Sequence, residues 1–145
     1  MAAAPFAVSE AKFQEREAEI RVIRTAVFTE EQGIDPEIDF DGNDPQCLHV
    51  IAKSATGSTV GTARMFDDGH IGRMAVLQAY RGQGIGRAML ETLINAAARL
   101  GLSQVYLNSQ LTAVGFYRAL GFEETGEPFI EAGIEHIRMQ RQITT

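Results

Sequence analysis

The sequence predicts an α+β domain built on a mixed, mostly antiparallel sheet with a central βαβ unit, and three observations carry that expectation. First, the turn signals Ser54-Ala55-Thr56-Gly57-Ser58 and Asp67-Asp68-Gly69 divide residues 48–76 into three β-rich runs that succeed one another antiparallel. Second, the run Ile71–Val76 enters a glycine-rich turn and then a helix, and the next β-rich run must return parallel to it. Third, two further β-rich runs close the chain. At 145 residues and 45% hydrophobic composition, the whole chain, 1–145, is expected to form one domain with its own core.

The elements follow in order. Residues 5–9 read as a short first strand. From Lys12 to Phe28, Phe13, Ile20, Ile23 and Val27 fall at helical spacing, which predicts an amphipathic helix. Gly33 and Pro36 break it. Glu30 to Asp44 then holds seven carboxylates and no basic residue, which predicts an acidic, solvated loop. Leu48–Lys53, Thr59–Phe66 and Ile71–Val76 are the three antiparallel strands. Beyond the glycine turn, Ile85, Met89, Leu93, Ala96 and Leu100 recur at three- and four-residue steps, and Gly101 stands where a helix ends, so the helix spans 84–100. Val105-Tyr106-Leu107 is the returning strand. Thr112–Leu120 suits a short helix stopped by Gly121, and Phe122–Thr125 and Ile134–Arg141 form the closing pair.

Charge and cysteine content narrow the functional classes. Thirteen basic against nineteen acidic side chains give a net charge of −6, which opposes the counterion release that nucleic-acid binding requires. A small neutral or cationic partner fits better. Cys47 stands alone, so no intramolecular disulfide forms, and no Cys/His spacing resembles a metal site. The start, Met1-Ala2-Ala3-Ala4-Pro5-Phe6, lacks the flanks of a signal peptide, and no apolar run is long enough to span a bilayer. A soluble cytoplasmic protein is expected.

The segment Arg81-Gly82-Gln83-Gly84-Ile85-Gly86-Arg87 carries the chemistry. Three glycines let the backbone approach a ligand and aim its N–H groups at one anion-sized space, and the helix opening there adds its positive dipole end. Spacing separates the nucleotide motifs that share such turns. A P-loop needs Lys-Ser or Lys-Thr after the last glycine, and Gly86 is followed by Arg87-Ala88. A dinucleotide fingerprint needs glycine or alanine at Arg87 or at Met89, depending on its start. Both readings fail. What remains, Arg81-x-x-Gly84-x-Gly86 between strand and helix, resembles the acyl-CoA pyrophosphate loop of the GNAT superfamily of N-acetyltransferases. A second segment, Ala113-Val114-Gly115-Phe116-Tyr117-Arg118-Ala119-Leu120-Gly121-Phe122, is similar to that family's Ala-x-x-Phe-Tyr-x-x-x-Gly-Phe motif. Val27-Phe28-x-x-Glu31-Gln32-Gly33 resembles a subgroup of uncharacterised bacterial acetyltransferases.

The resemblance implies an α/β sandwich with helices on both sheet faces, and transfer of an acetyl group from acetyl-CoA to a primary amine without a metal. Backbone amides from Gly82 and Gln83 through Gly84, Ile85, Gly86 and Arg87, with the Arg81 and Arg87 side chains, would hold the cofactor phosphates; the arginines are equally plausible as surface charge. The strand backbone at Met74, Ala75 and Val76 would pair with the pantetheine arm, and the Val76 amide would stabilise the oxyanion. Tyr117, beside Phe116, occupies the family's place for the general acid that protonates the departing thiolate, although an aromatic ring there also suits the core. Asn108 and Gln110 stand near the position of a cofactor-contacting Asn in many members, and the Gln is a departure from that pattern.

No motif supplies the base. Glu31, Glu37, Asp41, His49 and His136 are candidates by chemistry alone, with His49 set in a strand that equally suits a packed histidine. The acidic run, if it faces the cleft, would attract a cationic amine. The rival functions are a non-catalytic acyl-CoA sensor and an acyltransferase using a longer chain or a hydroxyl acceptor. A symmetric homodimer is the expected assembly.

Overall fold

Among the described residues, 5–143 of a computed structural model, seven strands form one sheet. They are β1 (Phe6–Ala11), β2 (Leu48–Ser54), β3 (Thr59–Met65), β4 (His70–Val76), β5 (Gln104–Gln110), β6 (Glu123–Glu131) and β7 (Ile134–Gln142). Their spatial order is β1-β2-β3-β4-β5-β7-β6. Every pairing is antiparallel except β4 with β5. The sheet is therefore mixed and mostly antiparallel, as the succession of turns predicts. Residues 1–4, on which the reading of the N-terminus rests, lie outside the described residues.

Helices cover both faces: α1 (Phe13–Arg24), α2 (Pro36–Asp39), α3 (Ile85–Arg99) and α4 (Val114–Ala119). The two-residue period of β2 sorts the core between them. Ile51 packs with Phe13 and Ile20 of α1, while Val50 and Ala52 pack with Met89, Leu90 and Leu93 of α3. Those three α3 side chains are fully buried, each contributing on the order of 1.5–3 kcal/mol. α4 sits on the α3 side, with Tyr117 and Leu120 against the cluster that holds Phe122.

Four elements differ from the sequence reading, each for a local reason. α1 stops at Arg24 and widens into a π-helical turn over Thr25–Glu31, closed by the Gln32 amide on the Val27 carbonyl at 3.1 Å. One turn of that kind has the same inward residues, Val27 and Phe28, as an α-helix would, so periodicity does not reveal it. The acidic stretch is partly helical: Asp35 caps α2 by accepting from the Glu37 amide at 2.9 Å, and Pro36 takes the first position. β5 runs three residues past Leu107. β6 continues through Gly126 and Pro128, tolerated because it is the sheet edge and its register shifts between Thr125 and Phe129.

A bulge in β4 positions the site. Arg64 pairs with Gly72 but Thr62 with Ala75, so β4 carries one extra residue there, and Arg73 has φ of 49°. Ile71 and Ala75, four apart, would otherwise share a face. Instead Ile71 packs with α3 and Ala75 packs with Ile23, Val27 and Phe28 on the other side.

Candidate active site

β4 and β5 pair only at His70 with Tyr106 and Ile71 with Leu107, then separate, although β4 continues to Val76 and β5 to Gln110. The sheet is split at its centre. Val76 lies opposite Gly61, and the next amide, Leu77, donates to the Val60 carbonyl at 2.9 Å. That register makes Val76 and Gly61 a non-hydrogen-bonded pair, whose own N–H and C=O groups point outward. The Val76 N–H therefore faces the split. Its carbonyl accepts from Arg81 Nε at 2.9 Å.

The glycine turn stands at the end of β4. Gly84 is the N-terminal cap of α3 with φ of 89°, a left-handed conformation that glycine adopts without cost. No atom lies within 4 Å of where a Cβ on Gly82 or Gly84 would stand, so the backbone there is open. The first internal bond is from the Ala88 amide to the Gly84 carbonyl at 3.0 Å, so the amides of Ile85, Gly86 and Arg87 precede the helix's own ladder. This turn fits an anionic group. Ile85 buries its side chain in the core and can offer only backbone. Gly86 approaches Phe116, whose Cζ would be 3.5 Å from its Cβ.

The arginines of this segment are engaged elsewhere. Arg81 forms a two-pronged pair with Glu31 at 2.6 and 2.7 Å, and Arg87 bonds Glu91 on its own helix at 3.0 Å. The Arg81 guanidinium beside Glu31 holds that carboxyl below the usual range.

A cavity of about 300 Å³ crosses the split. Phe28, Gln32, Ile34 and Ile38 line it from one helix layer, Ala113 and Tyr117 from the other, with Met74, Asn108 and Gln110 between. The Tyr117 hydroxyl stands 3.9 Å from Met74 Sδ, its ring edge-on to Phe116 and Phe122. Burial pushes that hydroxyl up to about 12, so it keeps its proton at physiological pH. Gln110 donates to Gln32 at 3.0 Å, tying β5 to the π-helical turn.

Of the residues singled out by sequence, the structure thus gathers Met74, Val76, the glycine turn, Asn108, Gln110, Phe116 and Tyr117 around one split. Ala75 sits behind it in the core. Gln83 lies in the turn, exposed. Glu31 and His49 are not brought to the cavity. His49 is buried beside Phe13 with Nε2 at 2.9 Å from the Asp44 carbonyl, and burial pushes its charged form out of favour.

The acidic run is largely an internal network. Arg24, 1% exposed, bonds Asp39 Oδ1 at 3.0 Å and Asp44 at 2.6 Å. Arg64 bonds Asp41 at 2.7 Å and Asp44 at 3.0 Å, and Arg73 reaches the Asp39 carbonyl at 3.0 Å. The Arg64 hydrogen bonds hold the Asp41 carboxyl far below its usual range. Burial pushes Asp44 up, but Arg24 and Arg64 outweigh it and keep it low. Three carboxylates expected in solvent are instead neutralised by three arginines, and the network clamps α2 against the bulge. The signal was present: Arg24 shares the inner stripe of α1 with Ile20 and Ile23, and Arg64 interrupts an apolar strand. Gln32, also at the cavity, was marked only as part of the Val27–Gly33 resemblance, and His70 carried no signal.

Comparison with known proteins agrees with this fold. The family model for an acetyltransferase (GNAT) domain matches residues 14–143. A Bacillus subtilis protein provisionally named an acetyltransferase is 39% identical over 126 residues, covering 83% of this chain and 85% of that protein. YjcF of the same organism, an uncharacterised N-acetyltransferase, is 32% identical over 134 residues, covering 90% and 96%. An acyl-CoA N-acyltransferase structure from Pseudomonas aeruginosa superposes with a TM-score of 0.83 at 30% identity, covering 94% of this chain and 99% of that one.

Proposed function

The chain belongs to the GNAT acetyltransferase family, and on that premise we propose that it transfers an acetyl group from acetyl-CoA to the primary amine of a small acceptor. The observation that carries this reading is the Val76 N–H facing the β4–β5 split on the strand that leads into the glycine turn, with Met74 of the same strand and Tyr117 lining the cavity that crosses the split. The turn amides from Gln83 to Arg87 bind the pyrophosphate, and the free edges of β4 and β5 hold the pantetheine arm as an added strand. Arg81 serves indirectly, fixing the Val76 carbonyl and the π-helical turn, because its guanidinium is already spent on both.

The acceptor nitrogen attacks the thioester carbonyl, and the charge that builds on oxygen is met by the Val76 amide in a site with little water. The C–S bond then breaks and the thiolate takes the Tyr117 proton. A desolvated tyrosine that holds its proton until needed suits that step. The acceptor enters from the side of Phe28, Ile34 and Ile38. The whole chain acts as one domain, in the cytoplasm.

The experiment is thiol release from acetyl-CoA with a panel of primary amines. Wild type releases CoA with at least one amine, and Tyr117→Phe lowers kcat by about 10²–10⁴-fold, the range for a lost general acid. Acetyl-CoA that raises thermal stability without release by any amine would instead mark a sensor.

A further inference from the structure

On the reading above, the acceptor ammonium must lose a proton before it attacks, and the geometry points to His136 as the residue that takes it, with Glu131 holding the ammonium beside it. His136 lies on β7 opposite Gln110 of β5 and Phe129 of β6, so its side chain shares their sheet face and lines the cavity. Its Nδ1 stands 2.7 Å from the Ile134 carbonyl oxygen. A carbonyl only accepts, so Nδ1 carries the hydrogen of the neutral ring and Nε2 is left as the basic nitrogen. Phe129 stacks on the ring at 5.9 Å and an interplanar angle of 22°, which fixes its plane.

Glu131 Oε2 is 3.9 Å from Nε2, beyond hydrogen-bond reach, yet one ammonium nitrogen can bond both atoms at once. The other charged or titratable groups lining this cavity are Asp39, Arg64, Arg73, His70 and Tyr117. Asp39, Arg64 and Arg73 belong to the balanced network of three arginines and three aspartates. Tyr117 is neutral. His70 is sandwiched between Phe66 at 5.7 Å and Tyr106 at 4.7 Å, and burial disfavours its charged form. Arg138, two residues along β7, stacks over the Tyr106 ring at 4.1 Å and does not line the cavity, so among the described residues Glu131 is the cavity-lining charge outside that network, and it favours a cation. Phe28, Ile34, Ile38, Phe66 and Leu107 give the cavity apolar walls, and its remaining uncharged polar side chains are Gln32, Asn108 and Gln110, with Gln110 already bonded to Gln32, so the substrate class is a small primary amine with a largely apolar body.

The ammonium gives one proton to Nε2, and the freed pair forms the C–N bond while the carbonyl pair moves onto oxygen. As that pair returns, the C–S bond breaks and sulfur takes the Tyr117 hydrogen. The second nitrogen proton restores Tyr117, and the His136 proton leaves to solvent.

The test uses phenylethylamine and n-hexylamine as probes in the full chain. His136→Gln should lower kcat/KM for the amine by about 10²–10³-fold at pH 7, and the loss should shrink by about tenfold per pH unit as the amine deprotonates itself. KM for acetyl-CoA and the thermal shift it produces should be unchanged, which shows a folded, loaded enzyme. Glu131→Gln should raise the amine KM with little change in kcat. Imidazole nitrogen shifts should report hydrogen on Nδ1. Wild-type turnover with an unaltered pH profile in His136→Gln overturns the inference and leaves the proposed function standing, and so does hydrogen found on Nε2. Absence of release by either amine in wild type, with acetyl-CoA still bound, overturns the inference together with the amine reading on which it rests.

Discussion

Arg24 shows how one buried cation can organise a site it does not touch. Its guanidinium stacks on Phe40 at 4.6 Å and bonds two aspartates that lie fifteen and twenty residues later in the chain. Replacing it with Met would leave Asp39 and Asp44 buried beside a hydrocarbon. Removing one partner of a buried pair costs about 3–5 kcal/mol. Arg24→Met should therefore lower the urea midpoint by that equivalent, and an unchanged midpoint would show that the network is not structural. The network also limits what sequence can say. An acidic run without internal bases reads as solvated, because the arginines that neutralise it come from a helix and two strands elsewhere in the chain. The residues of the glycine turn and Tyr117 were legible because their chemistry is local to a short motif. His136 was legible only as a histidine, since its tautomer depends on the Ile134 carbonyl and its partner on the β6–β7 pairing.

At the level of elements, the split between β4 and β5 depends on where their pairing begins. That start is set by Gly69, which has φ of +94° and approaches β5 so closely that a Cβ would stand 2.7 Å from the Gln104 carbonyl oxygen. The Tyr106 amide bonds the Gly69 carbonyl at 3.0 Å, which anchors the one parallel pairing among the described residues. Gly69→Ala meets both a backbone penalty of about 1–2 kcal/mol and a clash with main chain that cannot move aside cheaply. It should lower thermal stability and weaken acetyl-CoA binding together, as thermal shifts with and without acetyl-CoA would show. A variant that loses stability but binds normally would separate the turn from the split. The helix α3 and the three antiparallel strands follow from period and turn chemistry alone. The bulge at Arg73 does not, because nothing in a run such as His70–Val76 marks an extra residue until its partner strand is present.

For the whole molecule, the arginine–aspartate network makes stability depend on acid. Asp41 and Asp44 titrate lower in the folded chain than in the unfolded one, so the unfolded state binds more protons as the pH falls. Their contribution is complete above the ordinary aspartate value of about 3.9 and is lost as pH drops below it. Melting temperature should fall steeply on that side, and Asp41→Asn should flatten the slope; an acid slope identical to wild type would remove Asp41 from the account. The same network ties α2, which carries Ile38 of the cavity wall, to β4 beside the split. The central claim is that this split and its glycine turn hold an acyl-CoA. Backbone amide shifts recorded on adding acetyl-CoA test it most directly. The account predicts the largest changes at Val76, at Gln83–Arg87 and along Asn108–Gln110. Changes confined to other surfaces, or none at saturating acetyl-CoA, would contradict it.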